Sequence, residues 1–77
     1  MITIIKSKKF PKKYCATLHN KKVCFGDIRY QHFKDKIGHY SYLNHYDKKR
    51  RLLFHQRHNC KNATKYTPNW FSCKYLW

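Results

Sequence analysis

The chain has 77 residues, and its 18 Lys and Arg face only three acidic residues, for a formal net charge of +15. That length bounds it to a single small basic domain, residues 1–77, with a marginal core, and the lopsided charge repels itself and points to a polyanionic partner. Aromatic residues make up 18% of the chain against two Gly and two Pro, which excludes a disordered basic tail, and no apolar run reaches the ~20 residues that a membrane span needs.

Residues 2–6, ITIIK, are rich in β-branched side chains and predict a short strand. This apolar start is too short for a secretory leader and runs directly into basic residues 6–9. The sequence therefore predicts a reducing compartment, in which the four cysteines are thiols or metal ligands and a Cys15–Cys24 bridge forms only adventitiously.

A β-hairpin is predicted near 13–25. Tyr14 to His19 alternates, Asn20 and Lys21 turn, and Lys22 to Phe25 alternates again. With that turn, Leu18 faces Val23 and Ala16 faces Phe25 on one side. Cys15, Thr17, His19 and Cys24 fall on the other. Asp27 is expected to cap a short helical turn carrying Ile28, Tyr30 and Phe33, and residues 34–43 to loop around Gly38.

Asn44 is placed as an N-cap and a basic helix over about 45–58, with Asp47 in its first turn. On a helical wheel Tyr46, Leu53 and Phe54 form a narrow apolar stripe beside Arg50 and Arg57. Lys48, Arg51, His55 and His58 lie opposite. The C-terminal residues 70–77, WFSCKYLW, are too apolar for a mobile end and are expected to fold back on the hairpin face that carries Leu18, Val23 and Phe25. The expected fold class is α+β: a small antiparallel sheet packed on one basic helix, with an aromatic C-terminal tail.

Three segments together carry a resemblance: residues 23–35 (VCFGDIRYQHFKD), residues 40–51 (YSYLNHYDKKRR) with Gln56, Arg57 and His58, and the terminal WFSCKYLW. Their order resembles a family of small basic proteins of large nucleocytoplasmic DNA viruses. In that family a hairpin ends in a Phe-Gly-x-x-x-Tyr element, a basic helix ends in Arg-His, and the chain closes on Leu-Trp. The resemblance covers about residues 12–77. It implies a viral origin, association with the virion or residence in host cytoplasm or nucleus during infection, and no catalytic activity.

The basic residues assigned to phosphate contact are Lys8, Lys9, Lys12, Lys13, Lys21, Lys22, Arg29, Lys48, Lys49, Arg51 and Arg57. Within the helix, Lys48, Lys49 and Arg51 are expected to reach phosphates, and Arg50 and Arg57 to rest their stems on the apolar stripe. Tyr30, Tyr40, Tyr42 and Tyr46 interleave with them as rings able to stack on unpaired bases. No helix-turn-helix, zinc-finger or RNA-recognition spacing is present, so the expected mode is backbone binding without base readout.

Cys15, Cys24, His58, Cys60 and Cys73 are donors that suit zinc, but the cysteine gaps of eight, thirty-five and twelve residues contain no C-x2-C knuckle. No metal or other cofactor is assigned. His55 and His58 after a hairpin resemble the order seen in ββα metal-dependent nucleases. Such sites need carboxylates, and Asp27, Asp35 and Asp47 each have a local capping or pairing role, so no enzyme is predicted. The expected function is sequence-independent binding of nucleic acid, DNA first, in packaging or condensation of a viral genome. The rival is a small structural virion component that docks on an acidic protein surface.

Overall fold

The computed structural model describes residues 2–77. Three strands, β1 (Thr3–Lys6), β2 (Tyr14–Leu18) and β3 (Lys21–Phe25), form an antiparallel sheet in the order β1-β2-β3. Two helices follow, α1 (Lys48–Arg57) and α2 (Pro68–Tyr75), with short 3-10 turns at Ser41–Leu43 and Cys60–Asn62. The chain is an α+β fold.

The hairpin turns one residue earlier than the sequence predicts. His19 and Asn20 take φ of 49° and 61°, the left-handed pair that a two-residue hairpin loop requires. His and Asn enter that region more readily than Lys, so Lys21 stays in the strand. The register moves by two, to Ala16 opposite Val23 and Tyr14 opposite Phe25. A shift of two leaves every side chain on its expected face. Tyr14, Ala16, Leu18, Val23 and Phe25 accordingly sit together in the core with Tyr40, Phe71 and Leu76.

The C-terminal segment folds back on that face, as its composition demands, but as a helix. Thr67 caps α2 by accepting from Trp70 N–H, and Pro68 occupies the first turn, where its missing N–H costs nothing. Phe71 stacks on Phe25 with ring centroids 5.3 Å apart and planes 17° apart. Beyond β3, Gly26 adopts φ +76°, and a Cβ there would meet Leu76 Cδ1 at 3.0 Å and Lys13 Cβ at 3.1 Å. Only glycine permits the sheet end and the Leu76 side chain to approach so closely.

The basic helix is shorter than expected and begins later. Asp47, not Asn44, is its N-cap, accepting from Lys49 N–H and Arg50 N–H. Tyr46 at φ 54° breaks the helical path before it, and the Asn44 side chain is engaged elsewhere. No α1 residue is buried, and Leu52 and Leu53 are 58% and 50% exposed. The helix lying against β3 is α2, whereas α1 adjoins the Cys60–Asn62 turn. This corrects the expectation of a sheet packed on the basic helix. The predicted helical turn after Asp27 is also absent. Asp27 accepts from Arg29 N–H and the chain turns without helix.

All four cysteines form disulfides, Cys15–Cys24 across β2 and β3 and Cys60–Cys73 between the second 3-10 turn and α2. The expectation of thiols or zinc ligands is therefore overturned: Cys15, Cys24, Cys60 and Cys73 have no thiolate to offer a metal. The reason is geometric. Cys15 and Cys24, expected on one hairpin face, are direct cross-strand partners, and α2 returns Cys73 to Cys60, a proximity that the spacing of those two does not reveal. With His58 thus left alone, no group of three or more metal-binding side chains forms among the described residues.

Candidate nucleic-acid interface

The surface chemistry begins with the three carboxylates, each of which is engaged internally. Asp27 receives Arg29 Nη2 at 2.7 Å and Arg29 Nε at 3.0 Å, the single ion pair among the described residues. Those hydrogen bonds hold the Asp27 carboxyl at about 2. Asp47 is occupied by the α1 N–H groups, chiefly that of Arg50, which keep it below its ordinary value. Asp35 is buried. It accepts from Tyr14 O–H at 2.5 Å and from the N–H groups of Ile37 and Tyr40 at 2.8 Å each. Burial alone would raise the Asp35 pKa, but these donors outweigh it and hold the carboxyl below the usual value.

A second buried chain of polar groups joins the sheet to the loop before α1. Lys13, 2% exposed, donates to Tyr30 O at 3.0 Å and to His32 Nδ1 at 2.7 Å. His32, fully buried, donates from Nε2 to Asn44 Oδ1 at 2.6 Å, and the same Asn44 oxygen accepts Asp35 N–H. The ammonium on Nδ1 fixes the neutral Nε2–H tautomer of His32. Burial, then the Lys13 charge, pushes the His32 pKa down. Burial likewise lowers Lys13 to about 8, against the pull of Asp35 and Asp27.

These networks remove Lys13 from the phosphate-contact set: its ammonium is inside the fold and has two protein acceptors. Arg29 is exposed but neutralised by Asp27. Every other Lys and Arg is exposed and has no Asp carboxylate within ion-pair distance. Lys8 and Lys9 lie on the loop between β1 and β2, Lys21 and Lys22 at the start of β3, and Lys48 and Lys49 in the first turn of α1.

Within α1, Arg50 and Arg57 line one cleft with Leu53 and Phe54, as the helical wheel predicts, and Arg51 departs from its expected place. Arg51 donates from Nε to Trp77 O at 2.7 Å, and its guanidinium lies 5.3 Å from the Phe33 ring centroid. Arg57 is exposed at the edge of a cleft. The cause is Trp77, which stacks on Phe54 at 4.2 Å with planes 3° apart and so sets the rotation of the helix. Of the rings proposed for stacking, Tyr40 is in the core, whereas Tyr30, Tyr42 and Tyr46 are exposed.

Three clefts adjoin α1, and each carries exposed cations with no carboxylate partner. The largest, about 690 Å³, is lined by Lys12, Arg50, Arg57 and His58 over Leu53, Phe54, Leu76 and Trp77, with Tyr30 also on its wall. A second, about 480 Å³, presents Lys34, Lys36, Lys48 and Arg51 and shares Trp77 with the first. The third, about 560 Å³, carries Lys61, Lys74 and Trp70 and shares His55 with the second. Arg50, Lys34, Lys36, Lys61 and Lys74 were not among the sequence-assigned contacts. For Arg50 the signal was present, because Arg50, Leu53, Phe54 and Arg57 follow the spacing of one helical face. For the other four it was not, since only the tertiary fold brings them to α1.

No protein family, curated protein or solved structure matches the chain. No helix among the described residues is long and apolar enough to cross a membrane.

Proposed function

We propose that the protein binds nucleic acid without sequence preference, through phosphate contacts made by the cations around α1, and that it has no catalytic activity. The observation that carries this reading is that all three carboxylates are engaged within the chain, Asp35 buried, Asp27 paired with Arg29 and Asp47 capping α1, in a chain whose net charge is +15. Only a polyanion supplies the missing charge, and phosphate neutralisation with counterion release gives sequence-independent affinity. The segment resemblance supports a viral setting, with genome packaging or condensation as the task and DNA as the first candidate. Two disulfides favour the virion over host cytoplasm or nucleus, since such bonds persist on virions and are rare in reducing compartments.

The exposure of Phe10 and Tyr42, at 71% and 76%, favours a second reading, docking on an acidic virion protein. A mobility-shift titration on unrelated DNA and RNA sequences at several salt concentrations separates the two. Nucleic-acid binding predicts micromolar or weaker affinity at physiological salt. If about five to eight phosphates are engaged on duplex, log K falls with log salt at a slope of roughly −5 to −7. Absence of a shift at low salt, or binding indifferent to salt, refutes it.

A further inference from the structure

The geometry points to a more specific ligand: we infer that the largest cleft beside α1 takes one unpaired base of a nucleic-acid strand, so that the protein prefers single strands to duplex. This deepens the proposed function and rests on it. A surface that held only phosphates would need no recess, yet Lys12, Arg50 and Arg57 border one. Its volume of about 690 Å³ falls in the range of small-ligand sites. Its interior is Leu53, Phe54, Leu76 and Trp77, and its charged residues include Lys12, Arg50 and Arg57. Asp27 also lines it, but both oxygens of that carboxylate are held by Arg29, so its negative charge is already compensated.

The apolar surface has the form that bases recognise. His58, Phe54 and Trp77 stack in a ladder, His58 on Phe54 at 4.0 Å and 23°, Phe54 on Trp77 at 4.2 Å and 3°. Tyr30 on the cleft wall is 65% exposed, and Leu53 is half exposed; neither has a burial role that accounts for its position. Phe54 is covered on both faces by this ladder, so a flat heteroaromatic ring rests against the exposed Tyr30 and Leu53 beside it, while its flanking phosphates meet Lys12, Arg50 and Arg57. A duplex keeps its bases stacked inside and presents only its backbone to the rim. The recognition is sequence-tolerant, because every base has a π-face.

Fluorescence polarisation with oxidised full-length protein tests this on three labelled probes of about 12 nucleotides: a thymidine strand, the same strand with abasic residues in place of the bases, and a duplex. At equal salt the thymidine strand is expected to bind about 5- to 150-fold more tightly than the abasic strand, the range that loss of one stacked base produces. Leu53→Asp removes that difference, and Tyr30→Ala, at an exposed position, reduces it without changing the melting temperature. Equal binding of the thymidine and abasic strands overturns the base site and leaves phosphate binding intact. Failure of all three probes to bind overturns the proposed function, and this inference with it. If Leu53→Asp does not fold, an unchanged preference in Tyr30→Ala refutes the inference on its own.

Discussion

Replacing Asp35 by Asn should destabilise the fold severely, although the two side chains have nearly the same shape. Two effects compete. Asn removes a buried charge, which favours the variant, but it also removes the acceptor that Tyr14 O–H, Ile37 N–H and Tyr40 N–H converge on at 2.5, 2.8 and 2.8 Å. The direction of the Asp35 pKa decides between them. It lies below the ordinary value despite burial, so the fold favours the charged carboxylate over a neutral group at that position. An amide also turns one acceptor into a donor that faces donors. Hydrogen bonds to a charged group contribute about 1.5–3 kcal/mol each. Loss of one and weakening of the others gives roughly 2–4 kcal/mol, against a total of about 4–12 kcal/mol for a domain of this size. That corresponds to a fall in Tm of roughly 10–30 °C. Thermal unfolding followed by circular dichroism at pH 7, with the disulfides intact, reads it directly. In a double-mutant cycle with Tyr14→Phe, the two costs should overlap by at least about 0.5 kcal/mol. An Asp35→Asn variant that melts with the wild type, or costs that add without coupling, refutes the reasoning.

Phe71→Ala removes the fully buried ring stacked on Phe25 and should cost about 3–5 kcal/mol, enough to leave much of the chain unfolded near 37 °C, as measured by urea titration. Acid should weaken the fold before any carboxylate titrates. His32 has its pKa lowered in the native state, so the unfolded chain takes the proton first, and the stabilisation present above the ordinary 6.5 is lost as pH falls below it. Melting curves from pH 8 to pH 5 should show this decline; a flat profile would mean that His32 accepts a proton in place. Arg51→Ala should lower Tm through loss of its contacts to Trp77 and Phe33. Arg57→Ala should leave Tm within a few degrees and weaken nucleic-acid binding, and identical effects in the two variants would show that α1 is rotated from the position described.

What the sequence reveals follows the range of the interactions involved. Short-range patterns sufficed for the hairpin, whose alternation selects one core face even when the turn slips by a residue, and for the N-terminal strand. The burial of the C-terminal aromatics was legible from composition, but the helix there was not predicted, although Thr67 and Pro68 supply its cap and first turn. Cys15 and Cys24 were legible as neighbours on one hairpin face, but the Cys60–Cys73 disulfide and the buried Lys13 were not. A lysine beside Lys12 in so basic a chain looks like one more surface charge. Its burial depends on His32 and Tyr30, 19 and 17 residues away, arriving with acceptors. The packing of Arg51 was missed for a related reason: its partner is Trp77, 26 residues away at the other end of the sequence. Within the candidate site, the basic residues of the helix could be named in advance, whereas Lys34, Lys36, Lys61 and Lys74 could not.

The absence of any buried residue in α1 bears on how the molecule opens. A helix that contributes no side chain to the core can separate from its surroundings at a fraction of the free energy of global unfolding, as a unit of its own in hydrogen exchange. Its C-terminal end remains tethered nearby through the Cys60–Cys73 bridge, and its N-terminal end is closed by the Asp47 cap. What holds the helix along its length is Trp77, which stacks on Phe54 and accepts from Arg51, so its opening breaks these contacts while the sheet and α2 stay whole. Because Arg50 and Arg57 ride on it, the span between them and Lys12 depends on those Trp77 contacts and not on the core.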